Sequence, residues 1–417
     1  MNQAFLTGIS GIQATQFAID NNANNLANLN TVGFRASNTE FASLFEEKLN
    51  DANRGPVNST VGIGVRVQAT ATDLSRGVAI LGDRTTDLAI GDDGWFGISN
   101  GIDTLFTRAG NFNFDSQRDL VTEDGFHVLG TLGNNITNNV LTPPLAEVKL
   151  GDVAGQQPLN FPETLTYPVQ PTTQASFIGN LGFENVPRSM SATIISPQSD
   201  RNNLRLVFTQ SAVQPPQGIS WDITATTGNA NSSVIYDTQT GTAVFDSSGG
   251  LVSTTLPTLD NDGAPVSVNL GNGFDGVISV PNTPVTASSS ADGQIQGDLI
   301  GYAISQNAEV IATFSNGAQS SIGKIAVYHF QNDQGLERVT GSRFSVSSNS
   351  GDPIFFKNAA GENILGTAVY TSQLEGSNVK FEVGLTELII LQRTFDANSK
   401  SITTSDQMIQ KALDMDA

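Results

Sequence analysis

Apolar residues near the start of the chain recur at Phe5, Ile9, Ile12, Ile19 and Leu26, and with Gln16 and Ala23 they step by fours and threes. Only Gln16 breaks the apolar series. This spacing puts one stripe along a helix and leaves a seam for a partner helix. The last forty residues repeat it at Leu385, Leu388, Gln392, Phe395, Ser399, Ile402, Asp406, Ile409 and Leu413, and Leu388, Phe395, Ile402 and Ile409 lie seven apart. The pattern predicts a long amphipathic helix at each end, the two pairing as a coiled coil. Asn21, Asn22, Asn24, Asn25, Asn28 and Asn30 weaken the first helix, each by up to about 0.7 kcal/mol relative to alanine. Burying an apolar side chain returns roughly 1.5–3 kcal/mol. The first helix therefore persists only where something covers its seam: the C-terminal helix, and beyond it the helices of further copies. Polar groups at Gln16, Ser399 and Asp406 are the kind that specify register and partner number.

Between the ends the period changes from helical to two. Ile63, Val65, Val67 and Ala69 alternate with Arg66, Gln68 and Thr70, and short strands are predicted at 204–208, 221–225, 233–236, 242–245 and 325–330. Turn residues separate them at Asn100-Gly101, Ser248-Gly249-Gly250, Asn261-Asp262-Gly263, Asn316-Gly317 and Gln334-Gly335. A short helix is expected over 40–49, where Phe41, Leu44, Phe45 and Leu49 share one face before Arg54-Gly55-Pro56. Proline-rich stretches at 143–171 and 281–292 bracket a block that reads as an insertion. The fold expected is mainly β with paired terminal helices, in nested, discontinuous parts: 1–33 with 376–417 as the helical part, 34–72 as a connector with the short helix and a hairpin, 73–145 with 290–375 as an inner β domain, and 146–289 as an outer β insertion.

Composition narrows the functions available. The 417 residues include 40 acidic and 20 basic side chains, a formal charge of -20, so a phosphate backbone is repelled and nucleic acid is not an expected partner. No cysteine is present, which removes disulfides, thiolate nucleophiles and Cys-type metal sites. His127 and His329 are the only histidines, too few for a multi-histidine metal centre. Charged residues make up 14% of the chain against about 25% in an ordinary soluble domain, the difference going to Gly, Ser, Thr and Asn. No apolar run is long enough to span a bilayer, and the first residues lack the regions of a cleaved secretory signal, so export, if it occurs, is expected by another route.

Chemical motifs are sparse. Gly271-Asn272-Gly273-Phe274-Asp275-Gly276 has dinucleotide-binding spacing, but a β pattern with Pro281 follows where a helix is needed. Asp260, Asp262 and Gly263 hint at a calcium loop without the closing acidic residue. Both histidines fall within apparent strands, no nucleophile elbow accompanies them, and Asp92-Asp93 and Glu123-Asp124 adjoin turn glycines. No catalytic, cofactor-binding or metal-binding residue is assigned. The rival classes are an extracellular β-rich adhesin, which needs an exposed aromatic platform from Trp95 or Trp221, and a two-carboxylate glycosidase.

The terminal segments carry a resemblance. Asn24-Asn25-Leu26-Ala27-Asn28 with Thr31-Val32-Gly33-Phe34-Arg35 is similar to the N-terminal signature of the bacterial flagellar rod and hook family. Ser377-Asn378, Gln392-Arg393 and Asn398, set in Leu374-Glu375-Gly376 and Thr394-Phe395-Asp396-Ala397, are similar to its C-terminal signature. Asp87-Leu88-Ala89-Ile90, Gly94, Phe96 and Thr107-Arg108-Ala109-Gly110-Asn111-Phe112 resemble its shared inner domain. The size of the insertion resembles the long, hook-type members more than the short rod types; a distal-rod-like member is the alternative. The resemblance implies a non-enzymatic, cofactor-free subunit exported unfolded through the flagellar export apparatus. It further implies assembly outside the cell into a helical homopolymer, a curved tube that carries torque from a rotary motor to a filament. Rod, cap and filament-junction proteins are the other partners implied, without membrane insertion. Assembly would bury Phe5, Ile9, Ile12, Ile19, Leu26, Leu385, Leu388, Phe395, Ile402, Ile409 and Leu413 between copies.

Overall fold

A computed structural model describes residues 2–44, 46–48, 60–62 and 64–415. Two helices, α1 (Asn2–Ala27) and α2 (Phe381–Asp414), lie at the two ends, and the described elements between them are strands and two short 3-10 turns. At 1.5 Å per residue the helices are about 39 and 51 Å long.

The strands form two bodies, each around its own core. In the first, the hairpin Trp95–Ser99 and Thr104–Thr107 turns at Asn100-Gly101, and His127–Leu132 joins it on one side. The chain later leaves this body and comes back to complete the same sheet: Gln319–Ile325 pairs antiparallel with His127–Leu132, Gly130 facing Ile325. Glu309–Phe314 and Gly297–Ile304 extend it. Trp95, Phe96, Phe106, Phe112, Phe314 and Phe344 fill the core beneath it. His329 is 4% exposed within this body, its Nε2–H donating to the Leu365 carbonyl at 2.7 Å.

The second body is two-layered. Arg188–Ile195, Arg201–Gln210, Ile219–Asn229, Ile235–Phe245 and Leu251–Thr254 form an antiparallel meander. It packs on a second sheet that includes Gln174–Asn180 and Thr286–Ala291, with Trp221, Phe177, Phe208 and Phe245 buried between. The strands expected at 204–208 and 221–225 are present; those expected at 233–236 and 242–245 are one strand, Ile235–Phe245, preceded by a turn at Asn229–Ser233. The dinucleotide-like run is a tight hairpin, Gly271 facing Gly276, with no helix after it.

Three expectations need correction. Residues 146–167 do not belong to the insertion: Leu150, Leu159, Phe161, Leu165 and Tyr167 lie in the first core. Prolines made this stretch read as a linker, but apolar residues between them supply a large share of the packing. The chain leaves the first body near Gln170 and returns near Gln294, and these two residues exchange both backbone hydrogen bonds at 2.8 Å. Second, Phe41 does not lie on a helix. Ser37–Ser43 is a strand pairing antiparallel with Val65–Thr72, and this cross-chain ladder overrides the local helical spacing; Phe45, Leu49 and Arg54-Gly55-Pro56 lie outside the described residues. Third, the alternation from Val65 and Val67 fails at Ala69, which is exposed, because a bulge between Glu40 and Phe41 shifts the register. Ile63 lies outside the described residues.

Two outcomes follow. Residues exchanging both backbone bonds sit about 5.5 Å apart at Cα, so replacing 171–293 with a two-residue Asn-Gly turn leaves a cooperative thermal transition by circular dichroism. Deleting 146–289 abolishes it, since each large core side chain lost costs about 2–5 kcal/mol. Burial also holds the His329 pKa below its ordinary 6.5. Its neutral form is the one folded, so stability is complete above pH 6.5 and falls as the pH drops below it. Urea midpoints at pH 7.5 and 5.5 should differ less in His329→Phe than in the parent chain.

Candidate assembly interface

The two helices run antiparallel, and the seam between them is not the predicted stripe. Gly8, Gly11, Thr15, Ala18, Asn22 and Asn25 are buried on α1, stepping by three and four, with Ala14 beside them. Glycine makes the approach close: a Cβ at Gly8 would lie 2.7 Å from Ile402 Cγ1, and one at Gly11 2.6 Å from Asn398 Nδ2, so either would displace those side chains. From the other helix Gly384 faces Leu26 and Asn22, where a Cβ would lie 3.0 and 3.2 Å from their side chains. Small residues let the helix axes come together. The bulky stripe of Phe5, Ile9, Ile12, Ile19 and Leu26 then flanks the seam, half-buried. On α2, Leu388, Phe395, Ile402 and Ile409 are likewise half-buried on the side toward α1, while Leu385 is 42% and Leu413 67% exposed.

The asparagines that weaken α1 also anchor it. Asn21 Nδ2 donates to the Ser37 carbonyl at 2.8 Å, and Asn21 Oδ1 accepts from Ser37 Oγ at 2.6 Å. Asn25 donates to the same carbonyl and accepts from the Ser37 N–H, satisfying the first residue of the connector strand. Asn22 Nδ2 caps the Gly384 carbonyl at 3.0 Å. Asn24 and Asn28 bond within the helix end, and Thr31 Oγ1 donates to Asn28.

Where the helices meet the first body, charges are buried together. Glu375, 1% exposed, pairs with Arg35 at 2.9 Å and Arg108 at 3.3 Å, and accepts from the Gly77 N–H. Burial lowers the pKa of both guanidiniums, that of Arg108 to about 10, although the Glu375 charge opposes this. Arg35 also donates to the Ser75 carbonyl, Arg338 donates to the Arg35 carbonyl, and Arg338 stacks 4.9 Å over Phe34. Asn378 ties three segments: its Oδ1 accepts from the Ala36 N–H at 2.7 Å, and its Nδ2 donates to the Asp73 and Ser75 carbonyls at 2.8 and 2.9 Å. Gly33, at φ 65°, brings its Cα so close to the Ala109 backbone that no Cβ fits. Gly33, Phe34 and Asn378 thus hold the junction, Ser377 accepts from the Val379 N–H, and Gln392 and Arg393 face outward on α2.

Beyond its seam the helix pair leaves many large apolar side chains open. Of the 34 residues of α2 only Gly384 is buried, while Phe381, Val383, Ile389, Ile390 and Met408 are 47–59% exposed. The described part of α1 carries one charge, Asp20, and exposes Leu6 and Phe17. Both outer faces mix these exposed apolar side chains with polar ones, among them Gln13 and Asp20 on α1 and Glu387, Arg393 and Lys400 on α2.

The rest of the molecule offers little chemistry. Among the described residues no group of three acidic or histidine side chains is placed to hold a metal, and no helix is long and apolar enough to cross a membrane. His127 pairs with Asp119 at 3.3 Å. Trp95 and Trp221 are both buried, so neither supplies an adhesin's platform.

Comparison with known proteins places this architecture. The flagella basal body rod protein family matches residues 5–35, the D1 domain of flagellar hook protein FlgE/F/G matches 89–164, and the flagellar basal body rod FlgEFG C-terminal family matches 371–415. The flagellar hook protein FlgE of Borreliella burgdorferi is 26% identical over 99% of this chain and 99% of its own length; that of Escherichia coli is 26% identical over 99% and 100%. Both ends and the first body thus match flagellar rod and hook family models, and flagellar hook proteins align over nearly the whole chain. A solved relative, the Helicobacter pylori flagellar hook protein FlgE2, matches the fold with a TM-score of 0.54 and 15% identity, covering 71% of this chain and all of that one. The family's terminal signatures are the two segments that Glu375 and Asn378 lock together here, and the D1 match runs past residue 145, in keeping with the packing of Leu150, Leu159 and Phe161 in the first core.

Sequence pattern pointed to the bulky stripes and missed the small-residue seam, the anchoring role of the asparagines and the Arg35–Glu375–Arg108 cluster. Gly8, Gly11, Thr15, Ala18, Asn22 and Asn25 carry a heptad spacing of their own, and that spacing was the available signal.

Glu375→Ala leaves two guanidiniums buried without their carboxylate, which costs about 3–5 kcal/mol. Denaturant unfolding monitored by tryptophan fluorescence should show that loss in the first body, where Trp95 lies, while Lys149→Ala, which removes an exposed pair, leaves the midpoint in place.

Proposed function

We propose that this chain is the hook-type structural subunit of its family, polymerising into a curved, flexible tube that carries torque from a rotary motor to a filament. One observation carries the reading: a 34-residue helix buries a single residue within its own chain. Covering Phe381, Leu385, Ile389, Ile390 and Leu413 requires other molecules, and copies of the same chain supply complementary helices. A hook-type rather than distal-rod subunit is favoured because the relatives matching end to end, second body included, are hook proteins.

In this tube the helix pairs form the inner wall, the first body packs around them, and the second stands outermost. The Phe5, Ile9, Ile12 and Ile19 stripe and the exposed face of α2 make the contacts between copies. Bending slides the outer bodies past one another on each revolution, so their contacts are polar and wet; a surface poor in charge leaves few ion pairs to break. Copies reach the tip unfolded through the flagellar export apparatus, outside the cell, and order their ends as neighbours cover them. The rod below, the cap at the tip and the filament-junction proteins above are its other partners.

Ile390→Asp puts a charge on the outward face of α2, where it costs the monomer nothing. The variant should keep the parent chain's thermal transition and form no tubes in negatively stained electron micrographs at concentrations where the parent makes curved ones. Tubes of normal length from this variant would contradict the reading.

A further inference from the structure

A groove of about 620 Å³ opens where the helix pair meets the connector, lined by Gly11 and Ala14 of α1, Phe41, Gly62 and Val65 of the connector, and Leu391 with Thr394 and Asn398 of α2. Among the described residues, none that lines it is charged. Its floor is made of glycine and alanine, and a Cβ built on Gly62 meets nothing within 4 Å. The groove continues the small-residue seam along which the two helices already pack, since Gly11 and Asn398 belong to both.

The same chain carries a shape that fits it. Phe381, Leu385 and Ile389 stand four residues apart on α2, 54%, 42% and 47% exposed, and make a continuous i, i+4, i+8 ridge that ends at Arg393. At about 100° per residue this ridge points roughly opposite to Leu391, Thr394 and Asn398, so a chain cannot fill its own groove with its own ridge. Ridge and groove are different surfaces of one molecule. A contact between them is heterologous, and a heterologous contact that does not close a ring propagates as an open helical filament. The three ridge residues are apolar and the described lining of the groove is uncharged, while Glu382 and Arg393 flank the ridge.

We infer that the Phe381–Leu385–Ile389 ridge of one copy docks in the groove between the helix pair and the connector of the next. This inference rests on the polymer reading above and specifies which surfaces make it. It gives the connector strand a role in assembly: Phe41 and Val65 wall the groove, so the connector stays paired with α1 through Asn21 and Asn25 for the site to exist.

The absence of cysteine makes the test clean. Ile389→Cys and Thr394→Cys variants are mixed in equal amounts, polymerised and oxidised with copper phenanthroline. Disulfide-linked dimers should appear on non-reducing gels from the mixed polymer, at least tenfold above either variant polymerised alone and above a mixture in which Ile102→Cys, at a 90% exposed position of the first body, replaces Ile389→Cys. Mixed polymer without such dimers would overturn the ridge-in-groove contact and leave the polymer reading standing. Failure of the parent chain itself to polymerise would remove both.

Discussion

The close approach of α1 and α2 is the constraint on which the rest of this structure depends. Gly8 and Gly11 let Ile402 and Asn398 come closer than an added Cβ would allow without displacing them, and this contact joins α1, weak on its own, and α2 in one antiparallel unit. The arrangement has a consequence for everything outside it. Because small residues occupy the seam, the large apolar residues are displaced to its flanks and outer faces. The pair is consequently held together while remaining only partly covered.

That incomplete cover explains why the junction is so heavily built. A helix pair that must receive neighbours on several sides has to keep a fixed direction relative to its own β body. Glu375 binds Arg35 from the N-terminal segment and Arg108 from the body, and Asn378 ties Ala36 of that N-terminal segment to the Asp73 carbonyl. Breaking one partner of such a buried cluster leaves uncompensated charge. Beyond this junction lies a body with a large aromatic core, and the chain crosses to the second body and back at the paired residues Gln170 and Gln294.

Much of this was legible in the sequence, and the parts that were not have physical reasons. Heptad spacing in Leu388, Phe395, Ile402 and Ile409 located α2 and its inward side. Alternation located Arg201–Gln210 and Ile219–Asn229, and the Asn-Gly pairs located hairpins. Hydrophobicity weights bulky side chains, so it selected Ile9, Ile12 and Ile19 as the seam when Gly11, Thr15 and Ala18 form it. Asparagine counts against a helix until Ser37 is seen to need Asn21 and Asn25 as partners. Arg35, Arg108 and Glu375 lie far apart in the chain, and no local pattern joins them. At Phe41 a helical spacing lost to a strand 25 or more residues away, which only the tertiary ladder could decide. Prolines between 143 and 171 disguised a stretch that belongs to the first core.

The central claim is that other copies of the chain complete the cover of its helices. Hydrogen–deuterium exchange of α2 amides, measured in dilute monomer and in polymer under the same buffer and temperature, addresses it most directly. The account predicts fast exchange along α2 in the dilute chain, with the β bodies protected, and at least a hundredfold slower exchange of α2 in the polymer. Full protection of both helices in dilute monomer, unchanged on concentrating the protein and with no fibres formed, would contradict it.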